Sequence, residues 1–301
     1  METALSTLTI PVPTGRDATL VVGAPGSEPG HWAGAPSAVL SEGVYYLAYR
    51  LRRPVGAGRG YANVVASSTD GVVFRDICTI LSEELGAESL ERPAIARGPD
   101  GIWRLYVSVA TPGTKHWRVV LMEANDPAAF DAAAAVTVLA GNSAVGVKDP
   151  VVLYADGAWH MWITCHPLER WDDADRMATC YASSPDGRVW TMHGTALAAR
   201  SGEWDSRGAR ITAVKLDGDF VAALYDGRAS AAENYEERTG VAGGSLAELA
   251  ALGDGPAAQS PYPPYGLRYA SVVALPGGGA RLYYEMTGPT GAHELWTELA
   301  I

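Results

Sequence analysis

Five short stretches of the chain stand at matching places, and four of them carry charged or aromatic residues. They are Gly34-Ala35, Glu91-Arg92, Lys148-Asp149, Ala209-Arg210 and Arg268-Tyr269, each just before an apolar run. Two carboxylates, three arginines, a lysine and a tyrosine at equivalent positions form a mixed-charge set able to orient a polar ligand. Such groups are costly to gather unless they neutralise one another or bind something. Solvated charges paired among themselves are the plain alternative. Three further groups belong to the same set. Glu285 ends a strand-like run in "RLYYEM", His166 follows another in "ITCHP", and His31-Trp32 precedes the first run. A histidine beside an aromatic that can stack on a ring is suited to framing a sugar pocket.

The spacing shows how these residues meet. Each stretch opens a unit with an apolar strand, a Gly or Asp-Gly turn and an aromatic-rich second strand, as in "KDPVVLYADGAWHMWIT" from Lys148. The third positions, Pro36, Pro93, Pro150, Ile211 and Ala270, lie 57, 57, 61 and 59 residues apart. A third strand recurs in "NVVASSTDGVVF" from Asn63 and "CYASSPDGRVW" from Cys180. A steady period of this length predicts propeller blades, small antiparallel sheets stacked around an axis. The expected fold is therefore an all-β, five-bladed β-propeller with about 57–61 residues per blade. It forms one domain over residues 1–301, with blades starting near 34, 91, 148, 209 and 268. A β-sandwich would not give five equal units. "STLTIPV" (residues 6–12) is expected to close the ring by adding a strand to the last blade. Only "SLAELAAL" (Ser245 to Leu252) and the alanine run from Asp131 to Val136 read as helical. In a propeller the innermost strands line the channel, so their lead residues converge at one mouth of the axis.

The five-unit pattern, the "KDPVVLYADGAWHMW" segment and the "YASSPDGRVW" strand resemble the five-bladed propeller glycosidases. These are glycoside hydrolase family 43, the fructosidases of family 32 and the mannoside phosphorylases of family 130. The resemblance spans almost the whole chain and implies a carbohydrate-active enzyme. In family 43 a first-blade Asp is the general base, a third-blade Asp orients and tunes, and a later Glu is the general acid. Asp149 matches the third-blade member; the first-blade position reads "GAP", with Ala35, and the fourth falls in "SRGARIT", at Arg207 to Ala209. The family 32 "NDPNG" and "EC" motifs are absent, and the "EDPR" pattern of family 130 reads "ERPA".

The expected catalytic residues are Asp149 and Glu91, with Glu285 in reserve. The expected substrate-binding residues are His31, Trp32, Arg92, Lys148, His166, Arg210, Arg268 and Tyr269. The expected substrate is a small glycoside or sugar-like molecule with an anionic group facing Arg92, Arg210 and Arg268. Three other readings stay open: a retired propeller that binds without cleaving, a glycoside phosphorylase, and a lyase or isomerase. Asp172, Asp173 and Asp175 lack the Gly and distal Glu of a calcium loop and read as a solvated turn, so no metal is expected. No P-loop, dinucleotide fingerprint, HExxH or nucleophile elbow occurs, so no cofactor is expected. A net charge of −11 argues against nucleic acid, and no long apolar run suggests a membrane partner. Three cysteines without metal-type spacing and no visible signal peptide point to the cytoplasm. Oligomeric state is not encoded in these features.

Overall fold

The computed structural model describes residues 9–300, nearly all of them in strands and turns. Among the described residues, twenty strands form five four-stranded antiparallel units, the first and last of which are joined by one parallel pairing at Trp32 and His293. Blade one holds β2 (Trp32–Ser41), β3 (Val44–Arg52), β4 (Gly60–Ser68) and β5 (Arg75–Leu81). Blade two holds β6 (Leu90–Arg97), β7 (Trp103–Ala110), β8 (Trp117–Ala124) and β9 (Val136–Leu139). Blade three holds β10 (Val145–Ala155), β11 (Ala158–Pro167), β12 (Ala178–Ser184) and β13 (Thr191–Leu197). Blade four holds β14 (Gly208–Asp217), β15 (Phe220–Arg228), β16 (Arg238–Ser245) and β17 (Leu249–Leu252). Blade five holds β18 (Leu267–Ala274), β19 (Ala280–Thr287), β20 (His293–Ala300) and, from the other end of the chain, β1 (Thr19–Val22). The first strands pack on one another in a closed circuit, β2 to β6 to β10 to β14 to β18 and back to β2. That circuit makes them the inner wall.

Apolar residues on the strands fill the junctions between blades, one cluster to each. Ala48 and Val65 meet Leu105 and Val107 between blades one and two. Tyr106 and Leu121 meet Met161 and Ile163 between blades two and three. Trp162 and Tyr181 meet Ile211 and Tyr225 between three and four, and Leu224 meets Leu282 and Tyr284 between four and five. Leu47 and Val64 meet Tyr283 and Leu295 where the ring closes. Five separate cores, each spanning two sheets, leave the axis free for polar groups.

Three local expectations need correction. The ring is closed by β1, not by residues 6–12: residues 6–8 lie outside the described part, and 9–12 form no strand. Ile10 instead packs into the core between blades four and five. "SLAELAAL" is not a helix: Leu249–Leu252 is β17, paired with Val241 to Gly244 of β16. Leu249 is drawn into the junction core there, so tertiary packing overrides the helical propensity of Leu and Ala. The alanine run gives only a 3₁₀ turn over Ala132–Ala134, capped by the Asp131 side chain. Among the described residues no helix is long and apolar enough to cross a membrane.

Candidate active site

Each inner strand is kinked near its start, and the kink aims the lead residues. The register slips between Gly34 and Ser37, Leu90 and Pro93, Lys148 and Val151, and Arg268 and Ser271. At three of these bulges a non-glycine residue is left-handed: Ala35 (φ 53°), Asp149 (φ 56°) and Tyr269 (φ 55°). Asp tolerates this conformation; Tyr does so only at a cost, and such strain collects at functional sites. The Asp149 amide donates to Ser108 Oγ at 2.8 Å, and Oδ1 accepts from the Arg92 amide at 3.3 Å, which pins the bulge.

Above the bulges lies a pocket of about 330 Å³, within the range of small-molecule sites. Eight basic side chains and four carboxylates line it. Beneath, ion pairs run around the axis. Glu91 accepts from Arg50 Nη1 and lies 3.5 Å from Arg52 Nη1. Arg50 Nη2 donates to Glu285 at 2.9 Å, and Glu285 also accepts from Arg268 Nε at 2.8 Å. Arg268 Nη1 donates to Glu237 at 2.6 Å, and Glu237 accepts from Arg228 as well. Arg210 grips Asp226 through Nε and Nη2 (3.1 and 2.7 Å) and reaches Asp149 Oδ2 at 3.2 Å through Nη1. The Tyr269 hydroxyl accepts from Arg210 at 2.8 Å and donates to Asp149 at 3.4 Å.

Charges this deep shift one another's proton affinity. Burial pushes the Asp149 carboxyl up, but Lys148, Arg210, Arg50 and Arg92 outweigh it and hold the group below its usual range. Burial likewise opposes, and Arg268, Arg228 and Arg210 overcome, so that Glu237 is held well down. Asp226 goes the other way, to about 6, because burial and the nearby Glu237 exceed the pull of Arg210. Lys148 falls to about 8, chiefly by burial, with Asp149 opposing. His166 falls to about 3 through burial and the Lys148 charge, so the imidazole is neutral at pH 7.

The sequence-derived residues divide into groups. Glu91, Lys148, His166, Arg210, Arg268 and Tyr269 line the pocket. Asp149 is fully buried just under it, within 3.9 Å of Lys148 Nζ. Four placements differ from expectation. Glu285 is fully buried, bound by Arg50, Arg268 and His293, and fills the space where a side chain at Gly34 would stand. It lies outside the pocket lining. Trp32 braces rather than lines: the Arg52 guanidinium lies 3.9 Å over its ring and 4.5 Å over that of Tyr235. His31 packs by its ring against Gly26 and pairs with the Glu28 carbonyl, outside the pocket lining. Arg92 turns down the axis, its guanidinium donating to the carbonyls of Pro36, Thr212 and Ala270. The Asp172 to Asp175 turn is tied to arginines, Asp173 to Arg176 and Asp175 to Arg207 and Arg228.

Arg52, Arg228, Glu237 and Tyr235 were not singled out from the sequence. Arg52 and Arg228 lie two residues beyond Arg50 and Asp226, so strand periodicity puts them on the same face. That signal was available. Glu237 and Tyr235 come from the connection into β16, and no spacing rule marks them.

Free donors show where an anion would bind. Arg210 lies near three carboxylates and Arg268 near two, whereas among the described residues Lys148 Nζ has only the 3.9 Å contact with Asp149 and stands 5.1 Å from the Trp117 ring. Arg52 Nε and both His166 ring nitrogens are buried without hydrogen-bond partners.

No protein-family model matches the chain, and no curated protein matches it. Solved structures do. A GH43_1 enzyme from Xanthomonas citri complexed with xylotriose superposes with a TM-score of 0.66 at 13% identity, over 95% of this chain and 90% of that one. An α-L-arabinofuranosidase from Lactobacillus brevis gives 0.65 at 14% identity, over 89% and 90%. A structure described under the GH130 family of mannoside phosphorylases, containing glycoside hydrolases that target β-1,2 mannosidic linkages in Candida mannan, gives 0.64 at 14%, over 97% and 98%. At these identities the likeness establishes the fold. The chain shares their all-β propeller fold.

Proposed function

We propose that the protein is a carbohydrate-active enzyme of the glycoside hydrolase type, acting on a small glycoside or sugar-like molecule that bears an anionic group. The observation that carries this reading is the excess of basic groups around an axial pocket in a chain of net charge −11. Arg50 and Arg228 also carry an unpartnered Nε, but Lys148 and Arg52 have the loosest ion pairs of the lining, 3.9 and 3.5 Å. On this reading they therefore bind the anionic group, and neutral His166 hydrogen-bonds beside them. Glu91 is the acid/base group at the pocket face. Its contact with Arg52 is the long one, 3.5 Å. A substrate anion that draws Arg52 away frees Glu91 Oε1 for proton transfer, while Arg50 keeps Oε2 in place. Glu237 supplies the second carboxylate of the lining. Asp149 does not touch the ligand on this reading; it sets the charge on Lys148 and orients Tyr269.

The test is turnover of a panel of aryl glycosides of uronic acids and of phosphorylated sugars, with and without inorganic phosphate. Glu91→Gln should lower kcat by about 10²–10⁴-fold, the usual contribution of a general acid or base, and leave binding intact. Unchanged turnover in that variant sinks the assignment. A requirement for phosphate would turn the reaction into phosphorolysis.

A second reading has its own observation. Glu91 is held by two arginines and Glu237 by three, as counter-ions rather than free catalysts. A retired propeller that only binds its sugar would show ligand-dependent thermal stabilisation and no turnover of any member of the panel.

A further inference from the structure

Trp171 is 66% exposed, whereas the other tryptophans are buried or half-buried. It stands in the connection between β11 and β12 and lines the axial pocket together with Arg59 and Lys115. The same three residues also line a second cavity, of about 470 Å³. The two cavities therefore meet at this boundary, and a ligand held in one can extend into the other.

The second cavity is a cleft between equivalent loops of blades one, two and three. Val55 comes from the β3–β4 connection, Gly113 to Lys115 from β7–β8 and Trp171 from β11–β12. Val55 is 70% exposed. Single exposed apolar residues are ordinary, but two that line one cleft, itself continuous with a pocket, mark a place for a ligand. Polar groups share the same walls. Arg59 Nη2 donates to Glu88 at 2.7 Å, and among the described residues Lys115 has no carboxylate partner. Its Nζ rests 4.5 Å from the centre of the Trp171 ring. An exposed contact of that kind is worth about 0.5–1 kcal/mol, so a ligand face can replace it and free the ammonium to hydrogen-bond.

We propose that this cleft is a subsite for a second sugar ring, which lays one face on Trp171 while the first ring occupies the axial pocket. A pyranose has an apolar C–H face and an edge of hydroxyls. The cleft offers the matching surface, an indole plane beside a free ammonium and an ion pair. A purely apolar group would gain nothing from Lys115, Arg59 and Glu88. The axial pocket, at about 330 Å³, is near the lower end of small-molecule sites. A substrate longer than one ring must therefore leave it across the boundary that Trp171 shares. This deepens the reading above and rests on the axial pocket holding a sugar: the substrate class becomes an anionic disaccharide or longer chain, and Trp171 selects for the added length.

Calorimetric titration of matched series tests it. Each series sets the methyl glycoside of glucuronic, galacturonic or mannuronic acid beside disaccharides that join a second sugar at either end, with the neutral counterparts of both. In at least one series the second ring should tighten binding to the wild type about ten-fold. Trp171→Ala should abolish that gain, and Trp171→Tyr, which keeps an aromatic face, should restore most of it. The side chain is exposed, so neither change disturbs a core. No gain in any wild-type series overturns the proposal. So does a gain that is unchanged in Trp171→Ala, or one given by a phenyl aglycone where no second sugar gives any. Failure of the underlying reading looks different: no sugar of either length binds, and the subsite falls with it. Neutral series that show the Trp171-dependent gain without any preference for the anion would uphold the subsite and remove only the anionic group.

Discussion

Lys148 and Asp149 are neighbours in sequence and opposite in fate. Asp149 is fully buried, while Lys148 keeps part of its side chain at the pocket. Because Lys148 titrates near pH 8, an anionic ligand held by it binds with full strength below that pH and weakens as pH rises through it. Titration of a bound uronic acid between pH 6 and 9 should show this loss in wild type and not in Lys148→Arg. The same shift has a stability consequence of definite sign. The unfolded lysine, near 10.5, holds its proton where the folded one has lost it, so this residue makes stability rise between about pH 8 and 10.5. Asp149→Asn removes the charge facing Lys148 and Arg210 and should cost about 3–5 kcal/mol, the range for breaking a buried pair. Denaturant unfolding measures it, and a loss under about 1 kcal/mol would mean that the network does not need this charge. At this scale the sequence identified the lead residues well but not their directions. Arg92 and Arg210 stand at equivalent places in two units, yet one turns down the axis and the other lines the pocket. Backbone carbonyls across the ring decide this, and no single-chain pattern records them.

At the scale of elements, the repeated "SSTDG" and "SSPDG" turns show what the near-identity of two third strands is for. Ser68 Oγ accepts from the amides of Asp70 and Gly71, and Asp70 Oδ1 accepts from Val72 and Val73. Ser184 and Asp186 repeat the arrangement. Each turn then offers its glycine carbonyl to a tyrosine of an adjacent blade, Gly71 to Tyr283 at 2.9 Å and Gly187 to Tyr106 at 2.7 Å. The turn is a fastener between blades. Tyr106→Phe strands a buried carbonyl and should cost about 1–3 kcal/mol without touching the pocket, read as a lower melting temperature with unchanged ligand affinity. Strand-turn-strand units were legible because alternation and Asp-Gly turns are local signals. The outermost strands were not. β17 reads as helix by composition, and β1 is a four-residue strand whose sheet partner, β20, lies at the far end of the chain.

For the whole molecule, charge is distributed against its average. The chain is acidic, yet its axial mouth gathers arginines and lysines from all five blades, and five inter-blade cores fix them in place. The period of about sixty residues made that convergence legible, since it puts equivalent positions around one axis. The sugar and the linkage were not legible, because they depend on pocket shape between blades. The central claim is that the pocket selects an anionic sugar. Calorimetric titration of matched pairs, each a uronic acid or sugar phosphate beside its neutral parent, tests it in wild type and Lys148→Met. The account predicts that at least one anionic member binds wild type ten-fold or more tightly than its neutral parent, and that Lys148→Met erases the preference. Neutral sugars binding as well as their anionic partners, or a preference untouched by Lys148→Met, would contradict it.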